Sequence, residues 1–399
     1  MRKIKMPKYD ATPLLYKNSE SDRFIDKLNI SEDHEAIMLK ARRLARNKIK
    51  SAFTKARTDD QILSNLNKDE RSALQSLEPR FYPQGSYVYK TQNAPERRPQ
   101  QVDLDDGAYL PIEIMRDRPI LNKNIFFKIV DSALEELAKE QGWQFKKKDT
   151  CARLIITNEV HLDIPLYAIP KDRFIDLQKA EGRTAKLDEA QKFTESKRLL
   201  SEDEIYLARR DNEHWTKSDP MEIREWFLDS IKMHGEILRR VCRYLKTWRD
   251  VEWISGGPSS IALMICATEV FDNNHSGFTN DSSAIAAVLK SLPDMLNNGI
   301  KNPKNQDELI FPRGHDENEI KNIVDKARIA SNDILSVLNH GASATEVLNT
   351  FKKYFGRRVP DQKGWILHLG TAASAAAAVQ ATPARKTNEP KFSDNMIAG

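Results

Sequence analysis

Paired carboxylates on one short segment are the clearest sign of chemistry in this sequence. Residues 103–105 read DLD, and side chains two apart on a β-strand face the same way, so Asp103 and Asp105 share one space. Their like charges repel, and a divalent cation such as Mg²⁺ offsets the repulsion because it prefers hard oxygen ligands. A third carboxylate on a neighbouring strand, for which Asp163 in HLDIPLY is the candidate, would complete a two-metal site.

A glycine-serine turn precedes this acidic segment, in the order Gln84, Gly85, Ser86. Glycine lets backbone amides approach a triphosphate closely, and the serine hydroxyl adds a donor beside them. Alone, a DxD pair is more often a solvated strand end, since the chain has 58 acidic residues. A glycine-serine turn followed by two acidic strands is a much rarer arrangement, and it favours metal-assisted chemistry on nucleotide phosphates.

Cysteine and histidine offer no alternative metal site by their spacing. Three cysteines, Cys151, Cys242 and Cys266, stand far apart with no CxxC, so they are expected to be reduced and buried. The eight histidines form no HxH or HExxH group, which leaves carboxylates as the expected metal ligands. His161 lies two residues before Asp163 on the same strand face, and we interpret it as supporting or structural.

The composition is that of a globular protein with two or three lobes, since 399 residues with 40% apolar residues can bury a sizeable core. The longest apolar stretches fall far short of the roughly 20 residues of a membrane span, and the basic N-terminus lacks the apolar segment of a secretory signal. We therefore expect a cytoplasmic protein that does not cross a membrane. A net charge of +5 suits nucleotide phosphates, but we expect no requirement for duplex DNA.

Helical and β-rich segments alternate at the start of the chain. The spacing of apolar residues predicts a helix with a basic face over residues 35–53 and a second helix over residues 61–77. An alternating strand follows over residues 102–116, and a helix over residues 124–142 ends at a glycine. Short β-rich segments fill residues 143–170, so this part of the chain is expected to form a mostly mixed sheet with helices.

The character of the chain then changes twice. Residues 171–217 are charged and loop-like with one predicted helix, and only helices are predicted beyond them. We therefore divide the chain into an α/β lobe over residues 1–218 and a helical lobe over residues 219–370. Residues 371–399, rich in Ala, Thr, Pro, Lys and Asn, are expected to form a mobile tail.

A series of motifs runs in the order found in one known family: PRFYPQGSYVYKT, VDLDDGAYLP, TCARLIIT, HLDIPLYAIPKDRF, SDPMEIREWF, VCRYLKTWRD and GGPSSIALM. By them the chain closely resembles the bacterial cGAS/DncV-like nucleotidyltransferases, in the clade typified by the Vibrio dinucleotide cyclase. The resemblance implies an α/β plus all-α fold, in which a polymerase-β-like nucleotidyltransferase core with a mixed sheet is followed by a helical C-terminal lobe. It also implies synthesis of 3′,3′-cyclic GMP-AMP from ATP and GTP, as a second-messenger source in anti-phage defence.

By the same resemblance, Asp103, Asp105 and Asp163 match the catalytic metal-binding triad, with Mg²⁺ as the cofactor and Mn²⁺ as an alternative. Asp103 and Asp105 would hold the metal on the donor triphosphate, and Asp163 would help to hold the metal that activates the acceptor 3′-hydroxyl. The attack on the α-phosphate releases pyrophosphate. A linear dinucleotide would form first and then turn over in the pocket for ring closure.

The resemblance further implies a set of nucleotide-binding residues: Gln84, Gly85, Ser86, Tyr89, Arg153, Ser218, Lys246, Ser260 and Asp307. The first four match the donor-nucleotide loop, and Arg153 is suited to a phosphate fork or a base stack. Lys246 and Ser260 are expected on the second nucleotide. Ser218 and Asp307 match positions near the bases, and Asp307 is expected to select guanine, whose N1–H and N2–H groups donate to a carboxylate.

Three classes of function remain open at this point: a cyclic dinucleotide synthase, a polymerase that adds nucleotides to RNA or an antibiotic, and a binding module or inactive homologue. Such polymerases usually need a basic channel or an RNA-binding module, and neither is evident in the sequence. A DNA sensor of the animal type would need a zinc insertion, which three scattered cysteines cannot supply. An inactive homologue should have lost a carboxylate of the triad.

The C-terminal residue, Gly399, carries a separate expectation. In related anti-phage operons, a ubiquitin-like transfer machinery joins the terminal glycine of the synthase to a target. A mobile tail that ends without a side chain is sterically suited to adenylation and thioester formation. We therefore expect a ubiquitin-like conjugation machinery as a partner at Gly399, the alternative being an end of no significance.

Overall fold

The structure of the chain is a computed structural model. It describes residues 7–16, 22–112, 114–115, 118–119, 122–170, 205–217 and 220–369. The predicted lobe boundary at residue 218 and the predicted tail over residues 371–399 lie outside the described residues.

Helices make up most of the described chain. They are α1 (Thr12–Leu15), α2 (Phe24–Lys27), α3 (Glu32–Ala56), α4 (Asp60–Leu63), α5 (Lys68–Ser76), α6 (Gly85–Tyr89), α7 (Lys123–Gln141), α8 (Pro220–His234), α9 (Glu236–Glu252), α10 (Ser260–Asp272), α11 (Asp281–Asn298), α12 (Glu317–His340) and α13 (Ala344–Phe355), with a 3₁₀ turn at Lys363–Trp365.

The strands lie mainly in the first half of the chain. They are β1 (Tyr9–Asp10), β2 (Arg80–Gln84), β3 (Val102–Ile112), β4 (Ile114–Met115), β5 (Arg118–Pro119), β6 (Gln144–Lys147), β7 (Cys151–Ile155), β8 (Val160–Pro170), β9 (Tyr206–Leu207), β10 (Thr216–Lys217), β11 (Ile300–Lys301), β12 (Leu309–Phe311) and β13 (Leu367–His368). Mixed sheet followed by helices is the predicted α/β plus all-α order.

The predicted helix with a basic face is confirmed as α3, which begins at the Ser31 cap. The Ser31 hydroxyl accepts a hydrogen bond from the His34 amide at 3.2 Å, which satisfies one free donor of the first turn. The prediction of one helix over residues 61–77 is wrong, because the segment forms two helices, α4 and α5. Asn67 and Glu70 form a reciprocal capping box that starts a new helix there.

The parallel pair β3 and β8 forms the centre of a seven-stranded mixed sheet. Strand β2 pairs antiparallel with β3, while β7 and β9 pair antiparallel with successive parts of β8. Strands β6 and β10 extend the sheet beyond β7 and β9. A strand that lies between neighbours in this way is buried on both sides, and every residue of β8 is buried.

The alternation of side chains divides this sheet into two faces. The even-numbered residues of β3 and β8, such as Leu104 and Leu162, pack in a core with α3 and α7. The odd-numbered residues, among them Asp103, point to the other face, where Tyr109 and Tyr167 stack with ring centroids 4.7 Å apart. The apolar helix-facing side therefore fixes which carboxylates reach the opposite face.

Asp106 is an acidic residue that falls on the helix face of β3. It is fully buried, and Arg46 of α3 binds both of its oxygens, with N···O distances of 2.7 and 2.6 Å. The basic face of α3 therefore compensates a buried charge of the sheet. Asp106 serves the packing of helix on sheet, whereas its neighbours on β3 face away from that core.

The second half of the chain packs around a large helical core. Helices α9 to α13 contribute most of it. Apolar residues near the start of the chain also pack into it: Tyr9, Ala11, Leu14, Leu15, Phe24, Ile25 and Leu28. The prediction of helices alone in this half is wrong, because β11 and β12 form a hairpin and β13 pairs with β1. The β1–β13 pair joins distant parts of the sequence, which local periodicity does not reveal.

The state of the cysteines agrees with the prediction from their spacing. Cys151, Cys242 and Cys266 are free and buried, as predicted. Within the residues that the structure describes, every helix is too short or too polar to cross a membrane.

The buried Arg46–Asp106 pair generates a prediction about stability. Arg46→Ala leaves the Asp106 carboxylate buried without its cation, so we expect a loss of about 3–5 kcal/mol in the free energy of unfolding. Urea unfolding followed by circular dichroism measures this loss. Arg43→Ala on the exposed side of the same helix is the matched control. Equal small losses in the two variants would contradict a structural role of the pair.

Candidate active site

The parallel register of β3 and β8 brings the predicted carboxylates together. Asp105 lies directly opposite Asp163, and Asp103 lies opposite His161. Ligand atoms of Asp103, His161 and Asp163 all lie within 4.8 Å of one another. Two strands that are nearly 60 residues apart in sequence thus place their polar side chains on one patch of the sheet.

Asp105 is the electrostatic centre of this patch. Burial raises its pKa well above the usual range, and the charges of Asp103 and Asp163 raise it further, while Arg153 and Lys246 oppose the shift. Burial and the two neighbouring carboxylates therefore both disfavour the charged form of Asp105. The Asp103 Oδ1 atom is also buried without a hydrogen-bond partner. Clustered carboxylates with an unused buried oxygen fit a divalent cation.

Gly85 brings the backbone against this carboxylate cluster. Strand β2 ends at Gln84 opposite Asp105, and Gly85 then takes a left-handed φ of +61° as α6 begins. A Cβ at Gly85 would overlap the Asp105 Oδ2 atom. Glycine is required here by both conformation and space, as expected for a turn that presents backbone amides beside a charged site.

The side chain of Gln84 is held on the sheet next to this turn. Its Nε2 group donates to the Tyr109 hydroxyl, and the Tyr167 hydroxyl donates to its Oε1 atom at 3.3 Å. These bonds immobilise the amide on the face that carries the carboxylates. Gln84 therefore fixes the end of β2 as well as lining a cavity described below.

Arg153 on β7 is bound to the Asp163 carboxylate. Its Nε and Nη2 groups donate to the two oxygens of Asp163, each at 2.6 Å. Burial opposes the guanidinium charge, but the Asp163 bonds outweigh it and raise the pKa of Arg153. The two bonds show that Arg153 reaches the site and supplies a cation to the Asp163 carboxylate.

Two cavities meet at the carboxylate patch. The smaller has a volume of about 450 Å³ and is lined by Gly85, Ser86 and Tyr89. The larger has a volume of about 1250 Å³ and extends over Arg209 and Arg313. Three residues line both cavities: Asp105, Arg153 and Ile261. Asp105 thus stands at the junction of two spaces, which is the arrangement needed to bring two ligands together at one reactive centre.

Helix α9 forms one wall of the smaller cavity. Lys246 donates from Nζ to the Thr91 carbonyl at 2.7 Å, and Arg239 donates to the Tyr89 carbonyl at 2.9 Å. Burial lowers the pKa of Lys246 to about 8, with the Arg249 charge contributing. A bound anion would restore the preference for the charged lysine. Tyr89 packs edge-on against Phe227, and burial raises the pKa of its phenol.

Ser260 lies in the smaller cavity together with Lys246. Its hydroxyl accepts a hydrogen bond from Arg249 at 2.8 Å, while the neighbouring Ser259 caps α10. Lys246 and Ser260 are the residues expected to contact the second nucleotide. They line the same cavity as Ser86, so any ligand that contacts Ser86 is also near both of them.

Asp307 lines the larger cavity but not the smaller one, and it lies in the loop between β11 and β12. It is exposed, and its amide donates to the Asn305 side chain at 3.1 Å. Ser218 lies outside the described residues. The residues before it, Thr216 and Lys217, line the larger cavity as well.

Several residues that line the cavities were not predicted from the sequence. Arg249 stands three residues after Lys246 on α9, so helical spacing could have identified it on the same face. Arg209 and Arg313 reach the larger cavity from segments with no local motif. His161 was identified as supporting, yet its ring nitrogens lie among the carboxylates.

Family models match both halves of the chain. Residues 79–167 match the model described as Cyclic GMP-AMP synthase DncV-like, nucleotidyltransferase domain, and residues 235–368 match Cyclic GMP-AMP synthase, C-terminal domain. The Cyclic GMP-AMP synthase of Escherichia coli (strain TW11681) is 29% identical over 430 residues, covering 96% of this chain and 98% of that protein. The Cyclic GMP-AMP synthase of Vibrio cholerae serotype O1 is 32% identical over 355 residues, covering 85% of this chain and 80% of that protein.

Solved structures give the same relationship. The Vibrio cholerae DncV cyclic AMP-GMP synthase in complex with the linear intermediate 5′ pppA(3′,5′)pG has a TM-score of 0.79 at 26% identity, covering 92% of this chain and 100% of that one. The Escherichia coli DncV 3′-deoxy GTP bound form has a TM-score of 0.76 at 26% identity, and the match covers 90% of this chain and 100% of that one. The predicted polymerase-β-like core with a helical C-terminal lobe is therefore confirmed.

The raised pKa of Asp105 predicts that its charge destabilises the metal-free fold. The pKa of Asp105 is higher in the folded chain than the value near 3.8 expected in the unfolded chain. Its contribution to the free energy of unfolding is therefore fully present at a pH below 3.8, and it is lost as the pH rises through the folded pKa. We expect Asp105→Asn to raise the Tm by a few degrees at pH 8 without divalent cations, and by less at pH 5. Calorimetry across this pH range measures the difference.

Asp294→Asn on the exposed side of α11 removes the same charge away from the site, and should leave the Tm unchanged. Addition of Mg²⁺ should raise the Tm of the parent chain more than that of Asp105→Asn. A metal-free Asp105→Asn protein that melts below the parent at pH 8 would show that the carboxylate stabilises the site.

Proposed function

The chain belongs to the DncV-like nucleotidyltransferases of the cyclic GMP-AMP synthase family, and on that premise we propose that it makes 3′,3′-cyclic GMP-AMP from ATP and GTP. The observation that carries the proposal is the meeting of two cavities at the Asp103, Asp105 and Asp163 carboxylates. A reaction that joins two nucleotides needs two adjoining spaces with one centre of phosphate chemistry between them.

The donor nucleotide occupies the smaller cavity in this proposal. The Gly85 turn and the Ser86 hydroxyl offer donors to its triphosphate, and Lys246 and Arg249 supply positive charge from the opposite wall. Because burial lowers the pKa of Lys246 to about 8, the triphosphate would be bound best while this lysine is charged. Lys246 and Ser260, which the resemblance to the family implies on the second nucleotide, line this same cavity and so would also contact the donor.

Divalent cations, Mg²⁺ in the proposal, are held by Asp103, Asp105 and Asp163. The burial of Asp105 beside two further carboxylates and the Asp103 oxygen that makes no hydrogen bond support this assignment. When bound, the cations lower the pKa of the acceptor 3′-hydroxyl and neutralise the departing pyrophosphate. Arg153 adds a fixed positive charge at the junction of the cavities, where the α-phosphate would lie.

The acceptor nucleotide occupies the larger cavity, with its 3′-hydroxyl directed at the donor α-phosphate. Bond formation releases pyrophosphate and leaves a linear dinucleotide that keeps its own triphosphate. The intermediate must then turn over so that this triphosphate enters the smaller cavity for ring closure. The Vibrio cholerae relative solved with 5′ pppA(3′,5′)pG supports a linear intermediate in this sequence.

Guanine selection is proposed for Asp307. Its carboxylate accepts from the N1–H and N2–H groups of guanine, whereas adenine presents an acceptor at N1. In 5′ pppA(3′,5′)pG the guanosine carries the free 3′-hydroxyl, so its base would lie in the larger cavity at ring closure. The exposed position of Asp307 at the wall of that cavity supports a contact with this base edge. Ser218 is proposed near the bases on the resemblance to the family alone.

The physiological setting is part of the proposal. We infer a second-messenger source in anti-phage defence, in the cytoplasm, with a ubiquitin-like conjugation machinery acting on Gly399. The support for each is the resemblance to the family. A template-independent enzyme that makes another cyclic or linear oligonucleotide is the alternative activity.

Product analysis tests the proposed reaction. Purified protein with ATP, GTP and Mg²⁺ should yield one cyclic dinucleotide and two pyrophosphates per turnover, identified by mass spectrometry. Asp103→Asn combined with Asp105→Asn should abolish the product, because the cation ligands are lost, while the Tm shows an intact fold. Linear or long polymers alone would exclude ring closure, and turnover by the double variant would exclude the assigned metal ligands.

Asp307→Ala tests base selection. We expect the yield of guanine-containing cyclic product to fall about tenfold or more, because a good base-edge contact is worth about 1–3 kcal/mol and its loss weakens the placement of guanosine for ring closure. Analysis of product composition measures the effect, and Asp294→Ala on α11 is the matched control. Guanine incorporation that is unchanged in Asp307→Ala would reject the role.

A further inference from the structure

His161 is a buried polar side chain for which the proposed function has no use. It is 7% exposed, and neither its Nδ1 nor its Nε2 atom makes a hydrogen bond. A buried imidazole with two unpaired nitrogens lowers stability unless something else binds them. Its position on β8 is set by the same alternation that places Asp163 on the carboxylate face.

The imidazole is directed into the carboxylate patch. Nε2 lies 3.0 Å from Asp103 Oδ1 and 4.0 Å from Asp163 Oδ2, without the geometry of a hydrogen bond. The facing Asp103 Oδ1 atom is likewise buried and without a hydrogen-bond partner. A nitrogen and an oxygen, both buried and both unused, therefore border one space together with Asp163.

We propose that His161 is a further protein ligand of the cation site, bound through Nε2, and that it shifts the site's metal preference from Mg²⁺ toward Mn²⁺. Mg²⁺ strongly prefers oxygen ligands, whereas imidazole suits transition metals that also accept carboxylates. An all-carboxylate site of the same charge would favour Mg²⁺ more strongly. The imidazole adds a ligand without adding to the repulsion around Asp105.

The sequence motifs could not indicate this ligand. Histidine metal ligands are usually sought as HxH or HExxH pairs, and the eight histidines of this chain form neither. His161 instead meets Asp103 across the parallel pairing of β3 and β8. The inference rests on the cation site of the proposed function, but not on the identity of the nucleotides.

Pulsed electron paramagnetic resonance of bound Mn²⁺ tests the proposal directly. The full-length chain is loaded with Mn²⁺ and pyrophosphate, a product-like ligand that contains no nitrogen. We expect modulation from one directly bound ¹⁴N nucleus, replaced by a ¹⁵N coupling when the protein is labelled with [¹⁵N]histidine. The labelling arm needs no substitution and so does not depend on the folding of a variant.

Variants and affinities give the second readout. His161→Gln and His161→Asn should lose the nitrogen coupling, whereas His275→Gln, at an exposed histidine after α10, should keep it. The ratio of Mn²⁺ to Mg²⁺ affinity, from Mn²⁺ titration and competition by Mg²⁺, should fall about tenfold or more in His161→Gln. Asp103→Asn should weaken the binding of both cations.

The outcomes separate the two levels of inference. Mn²⁺ that binds through the aspartates without nitrogen coupling would overturn the role of His161 and leave the proposed function standing. An unchanged Mn²⁺ to Mg²⁺ ratio in His161→Gln would likewise overturn it. Failure of the parent chain to bind either cation would overturn the cation site, and with it both proposals.

Discussion

The parallel pairing of β3 with β8 is the constraint on which the rest of the structure depends. It sets Asp105 beside Asp163 and Asp103 beside His161, so four polar side chains share one patch of a buried sheet. The opposite faces of both strands are apolar and pack against α3 and α7, which prevents a slip of register. A slip by one residue would send the carboxylates into the helical core. The energy that holds the like charges together therefore comes from hydrophobic packing on the other side of the sheet.

The charges of the carboxylate patch are only partly compensated by its arginine. Arg153 balances Asp163 with two short hydrogen bonds, but burial and neighbouring charge still raise the pKa of Asp105 well above its usual range. Such strain at a site is typical of proteins that retain charge for chemistry at a cost in stability. The contrast with Asp106, one residue away, is informative. Asp106 has its own arginine on the helix side and is a structural residue, so adjacent aspartates on one strand have opposite roles.

Much of the site was predictable because its signals are local. Two-residue spacing placed Asp103 and Asp105 on one face, and the glycine-serine turn marked the neighbouring backbone. Asp163 was the candidate for the third carboxylate because it lies in a strand-like segment. Its register with Asp105, however, depends on pairing between distant segments. The same non-local origin explains why β13 was missed, since it forms only by pairing with β1 at the other end of the described chain. The division of residues 61–77 into two helices, by contrast, depends on the local Asn67–Glu70 box. The common cavity of Ser86, Lys246 and Ser260 depends on the packing of α9 against the segment after β2, which no local pattern shows.

The pairing of β1 with β13 closes the described chain on itself. The Leu369 amide donates to the Lys8 carbonyl at 2.8 Å, and the Lys8 amide donates to the Leu338 carbonyl at 2.8 Å, so residues 8 and 369 are immediate neighbours. A short covalent link between these two points would bridge almost no distance, and the backbone could then be opened in an exposed loop far from the carboxylates. The topology is thus compatible with circular permutation, in which new termini would carry a fused reporter without disturbing the sheet.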